Sequence, residues 1–281
     1  MKISVIIPSW NRADRLAAAL DSVYAQSVAP HEIIVVDDGS TDDTRELLGR
    51  HYPDVHYIFQ QNKGVSQARN TGIRAASGDW IALLDSDDRW KPCKLELQLA
   101  AIRANPDCKL CHSDEIWIRN GKRVNPMKKH AKHGGRIFRY CLPLCVISPS
   151  AVMIHRDIFR EIGLFDETLP ACEDYDLWLR ICAVYPVLYV DQPLIEKVGG
   201  HADQLSRSHW GMDRFRIQAL ENILATGVLG EQDYRAALET LLKKTAIMIQ
   251  GAVKRDNHTL ADSYRDKQQK YSRTLTLADT A

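Results

Sequence analysis

Long apolar runs are missing from this 281-residue sequence; nothing in it approaches the roughly 18 to 20 residues of a membrane-spanning helix. The opening stretch, MKISVIIPSW, holds one Lys and a short apolar segment that breaks at Pro8 without a small-residue cleavage site, which argues against a signal peptide. These absences lead us to expect a cytoplasmic protein, soluble or held peripherally at the inner face of a membrane. An excess of either charge is missing too. The chain has 37 Lys and Arg against 36 Asp and Glu, net +1, so a polyanion is not expected as the main partner and nucleic acid is disfavoured.

Internal repeats and low-complexity blocks are also absent. Cysteines number seven, at 93, 108, 111, 141, 145, 172 and 182. An odd set without an export signal points to reduced thiols. Cys108 and Cys111, taken with Cys141 and Cys145, suggest a zinc site. However, the first pair opens a predicted strand, where an offset of three puts the sulfurs on opposite faces. Buried, unpaired cysteines acting as small hydrophobes are the expectation.

Alternation of strand and helix patterns is what the first ~100 residues do contain. Apolar β-branched runs at 3–7 and 32–36 flank a segment in which Leu16, Leu20, Val23 and Tyr24 recur at helical spacing, with Asn11 or Asp14 placed to cap it. Ser40 or Thr41 can cap a second helix reaching about Arg50, with Asp42 and Asp43 in its first turn. Residues 55–60 read as a strand, 65–76 as a helix, 80–84 as a strand and 89–105 as a helix. This order predicts an α/β fold with a mostly parallel central sheet covered by helices on both faces. Residues 109–124 read as a hairpin around Asn120-Gly121. The basic stretch 127–136, with His130 and His133, reads as a mobile loop: either a solvated surface or a lid or acceptor-binding segment. Beyond Trp210 the pattern is helical. This tail is expected to pack as a helix pair or dimer surface, with a membrane-surface contact through Lys243, Lys244, Lys254 and Arg255 as the alternative.

Ligands of an open parallel sheet bind where the strands end, and the unusual polar clusters fall there. Pro8-Ser9-Trp10-Asn11-Arg12 follows the first strand, Asp37-Asp38-Gly39-Ser40 the second, and Asp85-Ser86-Asp87-Asp88 the fourth. Each alone makes a serviceable turn or helix cap. An ionised Asp38 also accepts a hydrogen bond from the imide N–H of uracil and so selects against cytosine. Asp85 and Asp87 present hard oxygen ligands of the kind Mg²⁺ and Mn²⁺ take together with phosphate oxygens.

Five ordered blocks carry a family resemblance: residues 5–12 (VIIPSWNR), 36–42 (VDDGSTD), 62–72 (NKGVSQARNTG), 84–88 (LDSDD) and 173–178 (EDYDLW). Together they resemble the family-2 inverting glycosyltransferases of GT-A fold. The resemblance spans roughly residues 1–207. It implies a GT-A domain there, with a nucleotide-sugar-binding half at 1–105 and an acceptor half at 106–207, and it leaves 208–281 as a helical C-terminal extension.

The implied function is metal-assisted transfer of a sugar from a nucleotide diphosphate sugar, UDP-linked if Asp38 is read correctly, to a saccharide or lipid-linked saccharide acceptor. Pro8, Asp38 and Arg69 are implied to hold the nucleotide, with Ser9, Asn11, Arg12, Lys63, Ser86 and Glu173 as further donor-side residues. Asp87 is implied to bind Mn²⁺ or Mg²⁺ directly, and Asp85 to lie nearer the ribose. Glu173-Asp174 resembles the acceptor-side motif, with Asp174 the general base; these acids also suit a helix N-terminus. His201, after Gly199-Gly200, resembles a loop histidine that contacts metal or diphosphate, and Lys197 stands where many relatives place an Arg. Trp178 reads as helix core, whereas Trp10 suits either a core or a sugar platform. Two other functions compete. A nucleotidyltransferase ordinarily carries a glycine-rich basic loop after its first strand, which Pro8 to Arg12 lacks, and a non-catalytic sugar-nucleotide-binding module would not need Asp85, Asp87 and Asp174.

Overall fold

A computed structural model describes residues 1–200 and 209–278. The strands are β1 (Ile3–Ser9), β2 (Glu32–Asp37), β3 (His56–Phe59), β4 (Trp80–Leu83), β5 (Arg89–Trp90), β6 (Leu110–Arg119), β7 (Lys122–Val124), β8 (Met153–His155) and β9 (Leu188–Gly199). Helices α1 (Ala13–Tyr24), α2 (Thr44–His51), α3 (Val65–Ala75), α4 (Lys94–Ala104), α5 (Phe138–Cys141), α6 (Arg156–Glu161) and α7 (Glu173–Val184) are interleaved with them. Three more follow: α8 (Asp213–Ala225), α9 (Glu231–Val253) and α10 (His258–Ala278).

One sheet runs β3-β2-β1-β4-β8-β6-β9-β5, with β7 on β6. Strands β1–β4 pair in parallel; β8 lies antiparallel to both β4 and β6, and β6 and β9 form a second parallel pair. Because β1 pairs with β2 on one side and β4 on the other, the strand order reverses at β1/β4, and a crevice opens beyond their carboxyl ends. Alternation along the strands divides the core. Ile6, Ile34, Val36, Ile81 and Leu83 pack with α3 and α7, while Val5, Ile7, Ile33, Val35 and Ala82 pack with α1 and α4.

Several local expectations change. Arg89–Trp90 is a strand, paired with Glu196 and Ile195, and the helix starts only at Lys94. Pro92 disfavours helical geometry at Lys91, and the Trp90 indole is anchored to the Ser150 carbonyl at 2.9 Å. Neither expected cap forms on the first two helices. Asp42 accepts from Ala13 N at 3.0 Å at the start of α1 and from Thr44 N at 3.1 Å at the start of α2. The 109–124 hairpin forms, with Asn120 and Gly121 both at positive φ.

The basic stretch 127–136 is pinned to the body. Lys132 pairs with Glu115 at 3.1 Å and donates to Val146 O at 2.7 Å, and Gly135 bridges to Val187. Ala219, Leu220 and Ile223 of α8, with Ala237 and Leu241 of α9, belong to the same apolar cluster as α7. Lys244 is buried, donating to Pro143 O at 2.8 Å and Asp213 at 3.1 Å, so it is withdrawn from any surface. No described helix is long and apolar enough to cross a membrane.

Candidate active site

The crevice at β1/β4 is a cleft of about 960 Å³. Its first wall is assembled largely by backbone. Asp37, ending β2, accepts from Ser40 N and from the Tyr57 hydroxyl, each at 2.8 Å. Asp38 is 4% exposed and accepts from Gln60 Nε2 (2.7 Å) and Lys63 N (3.0 Å) at Oδ1, and from Gly64 N (2.8 Å) at Oδ2. A carboxylate has about four acceptor positions, so three donors leave one, on Oδ2. The close approach of the loop 62–64 requires Gly39. Its φ is +84°, and a Cβ there would lie 2.8 Å from Asn62 N.

Asn11 takes a different place from the one expected. Its Oδ1 accepts from Thr41 N at 2.8 Å and its N–H donates to Ser40 Oγ at 2.8 Å. It braces the two loops and is not among the lining residues, whereas Pro8, Ser9, Arg12, Asp38 and Lys63 are. Arg12 sits in the field of Asp87, which works against the lowering that burial imposes on its guanidinium. The Ser9 and Ser66 hydroxyls line the cleft, buried and, among the described residues, without a hydrogen-bond partner.

Arg69 joins the two walls. Its buried guanidinium donates to Asp85 Oδ1 and to Glu173 Oε1, each at 2.7 Å, and lies 5.2 Å from the Phe165 ring centroid. Burial opposes its charge, but the two carboxylates raise its pKa above the ordinary value. Burial, then the neighbouring Asp174 charge, push the Glu173 carboxyl up to about 7 against the pull of Arg69. The acids at 85, 87 and 88 follow one another along a single loop. Asp88 accepts from Ser150 Oγ (2.6 Å) and Val198 N (2.9 Å), and burial followed by the charges of Asp87 and Asp85 drives its pKa well upward. Ser86 is 7% exposed and lines the same cleft.

The facing wall brings Asp174 to the cleft at the start of α7. Cys172, in left-handed geometry at φ 61°, turns the chain into the helix. Asp174 Oδ1 accepts from Tyr175 N at 2.7 Å and Oδ2 from Cys145 Sγ at 3.2 Å. Burial and then the Asp174 charge push the Cys145 thiol well above its usual range, so it stays a donor. Lys197 donates to Ser148 Oγ at 3.0 Å; its pKa is raised despite burial, by Glu115 first and then Asp88, Cys145 and Asp174. Glu115 also accepts from the Trp117 indole at 2.6 Å. Burial raises its pKa, but Lys132 and Lys197 more than offset this and hold it at about 2.

Cys145, Glu115, Lys132 and Asp88 were not among the expected site residues. Asp88, adjoining the Asp-x-Asp pair, and Lys132, within the basic stretch 127–136, had local signals. His201 lies outside the described residues. Trp178 is buried core and Trp10, 53% exposed, lines the cleft. All seven cysteines are free.

Among the described residues no three His, Cys, Asp or Glu side chains form a ready cage for a metal. The donor chemistry nevertheless fits a hard cation shared with a phosphate. Mg²⁺ is usually held by one or two carboxylates plus substrate oxygens and water, and Asp85 and Asp87 both line the cleft.

The family described as "Glycosyl transferase family 2" matches residues 4–163 of this chain. The chain belongs to that family. An uncharacterized glycosyltransferase of Rickettsia prowazekii is 30% identical over 255 residues, covering 89% of this chain and 76% of the relative. Escherichia coli chondroitin synthase is 29% identical over 199 residues, which is 70% of this chain but 29% of that enzyme. Among solved structures, S. aureus TarS in complex with UDP-GlcNAc superposes with a TM-score of 0.65 at 18% identity, covering 95% of this chain and 93% of that one. The Pyrobaculum calidifontis mannosyltransferase PcManGT, in complex with GDP-Man and Mn²⁺, gives 0.61 at 18% identity, covering 99% and 86%.

The fold of this family 2 glycosyltransferase is thus GT-A, as the sequence blocks implied, and the family membership decides against the nucleotidyltransferase and non-catalytic readings. The matched range ends before α7, so Glu173, Asp174 and Lys197 reach the cleft from outside it.

Proposed function

We propose that this glycosyltransferase moves a sugar, with inversion, from a uridine diphosphate sugar to a hydroxyl of a saccharide or lipid-linked saccharide acceptor, with Mn²⁺ or Mg²⁺ as cofactor. The observation that carries this reading is that Asp38, Asp85, Asp87 and Asp174, distant in sequence, line one cleft, with Arg69 tying Asp85 to the start of the Asp174 helix.

In this reading the one acceptor position left on Asp38 takes the imide N–H of uracil, and Asp85, fixed by Arg69, faces the ribose. Pro8, Ser9 and Ser86 shape the donor cavity, and Asn11 supports it from behind. Arg12 and Lys63 supply positive charge beside the diphosphate. Asp87 would hold the cation, with His201 as a further ligand, and a cation held there would supply positive charge to offset that of the departing diphosphate.

Asp174 faces the acceptor. It takes the proton of the acceptor hydroxyl as that oxygen bonds to the anomeric carbon, while the bond to the diphosphate breaks and its electron pair leaves with UDP. Cys145 holds one oxygen of Asp174, and Arg69 fixes Glu173 beside it, so the base is oriented before the acceptor arrives. Residues 1–105 serve the donor, 106–207 the acceptor, and 208–281 buttress both.

The test begins with UDP release from a panel of UDP-sugars, with and without Mn²⁺. Asp87→Ala should abolish both the metal dependence and the activity. Asp174→Asn should keep the thermal shift caused by UDP but lose transfer by roughly 10²- to 10⁴-fold. An active Asp174→Asn removes the base assignment, and a larger thermal shift with GDP or CDP than with UDP removes the uracil assignment.

A further inference from the structure

Net charge near zero conceals a segregated stretch. Between Glu115 and Asp157 every charged side chain is a Lys or Arg. The pleat of β6 sends Glu115, Trp117 and Arg119 to one face, and the β6–β7 register sets Lys122 opposite Arg119. This face starts inside the cleft, which Glu115 and Trp117 line, and runs outward from it. The Trp117 ring meets the His130 ring at 4.9 Å, and the Arg119 guanidinium lies 5.5 Å from the Trp117 centroid. Lys128 and Lys129 immediately precede His130 in a single helical turn.

The inner cation of this region, Lys132, is neutralised by Glu115, and Arg139 at its far end pairs with Asp233 at 2.6 Å. Lys122, Lys128 and Lys129 are exposed and, among the described residues, none of the three pairs with a carboxylate. The imidazole of His130 registers the resulting field: burial lowers its pKa first, then Lys129, Lys132 and Lys197, against the opposing pull of Glu115. Exposed charges of one sign are normally interspersed with the other; here they gather around an aromatic ring at the mouth of a cleft.

We propose that this rim binds an anionic saccharide acceptor, one carrying carboxylate or phosphate groups, with Trp117 against a sugar ring and Arg119, Lys122, Lys128 and Lys129 as counter-charges. The proposal rests on the reading of the cleft as a sugar-transfer site and narrows its acceptor class. Aromatic faces suit the apolar side of a sugar ring, and clustered cations steer and orient an anionic chain toward the adjoining site. A membrane surface is the poorer match, because Met127 is the one large apolar side chain exposed between residues 115 and 136, too little for insertion.

Binding is measured without donor or metal, so the outcome does not depend on the transfer chemistry, which UDP release reads separately. The probes are a hyaluronan hexasaccharide, a mannopentaose phosphate, neutral chitohexaose, and phosphatidylglycerol vesicles. At least one anionic saccharide should bind more tightly than chitohexaose. Lys122→Gln/Lys128→Gln/Lys129→Gln should weaken that binding about tenfold at low salt, and less at high salt where the charges are screened. An Arg103→Gln/Lys243→Gln/Lys254→Gln control removes equal charge from other exposed sites and should leave it unchanged. Equal binding of neutral and anionic saccharides overturns the proposal, as does equal loss in both triple variants or binding to the vesicles alone. A melting temperature for each variant confirms that it is folded.

Discussion

The two walls of the cleft hold their acids by different means. On the β1–β4 side, Asp37 and Asp38 close a strand and are caught mostly by main-chain N–H groups of nearby turns. On the β6–β9 side, Glu115 and Asp174 are held largely by side chains: the Trp117 indole from the same strand, and Lys132 and the Cys145 thiol from elsewhere. A carboxylate bound by backbone keeps its site through many changes of neighbouring side chain. One bound by a buried lysine is only as secure as that lysine.

The largest expected effect follows from that difference. Glu115→Leu strands Lys132, whose side chain is 5% exposed, and should cost about 3–5 kcal/mol in urea unfolding. Asp38→Asn, which disturbs hydrogen bonds to amides without isolating a charge, should cost only about 1–3 kcal/mol. Similar losses in the two variants would break the contrast. Gly39→Ala probes the backbone-built wall directly. A left-handed alanine costs about 1–2 kcal/mol, and its Cβ must push back the loop that supplies Asp38 with two donors. We therefore expect a modest loss of stability with a disproportionate loss of UDP binding.

The smallest effect separates buried lysines that have an acid from one that does not. Lys94 is fully buried, bonded to Gln98 at 2.7 Å and 4.2 Å from the Trp90 centroid, and burial lowers its pKa to about 7. Unfolded, it titrates near 10.5. Its contribution is therefore complete above that value and lost as pH falls through about 7. Wild type should gain stability between pH 7 and 9, and Lys94→Met should flatten that rise in melting temperature.

The same contrast governs what the sequence disclosed. The strand-and-helix order of the first half, the hairpin at Asn120-Gly121 and the strand-end acids were legible because each depends on residues within a few positions. The first turn of α1 is not legible locally because its cap is Asp42, from the next loop but one. The helix before Asn105 begins later than its periodicity implies because the pairing of Trp90 with Ile195 spans more than a hundred residues. Lys132 lies in the basic stretch 127–136, but no local pattern placed it with Cys145 and Glu115 in one cleft. Their placement depends on how 127–136 folds back over β6, a matter of tertiary packing that periodicity does not encode.

The helices after Trp210 supply Ala219, Leu220 and Leu241 to the apolar cluster that also holds Trp178, and Met212 and Arg216 reach the cleft. The segment shared with the family at large therefore does not coincide with the unit that folds. A chimera that grafts residues 4–163 onto the remainder of a relative would place its seam through the middle of that cluster, so an exchange between relatives has to carry α7, α8 and α9 along with the strands they cover.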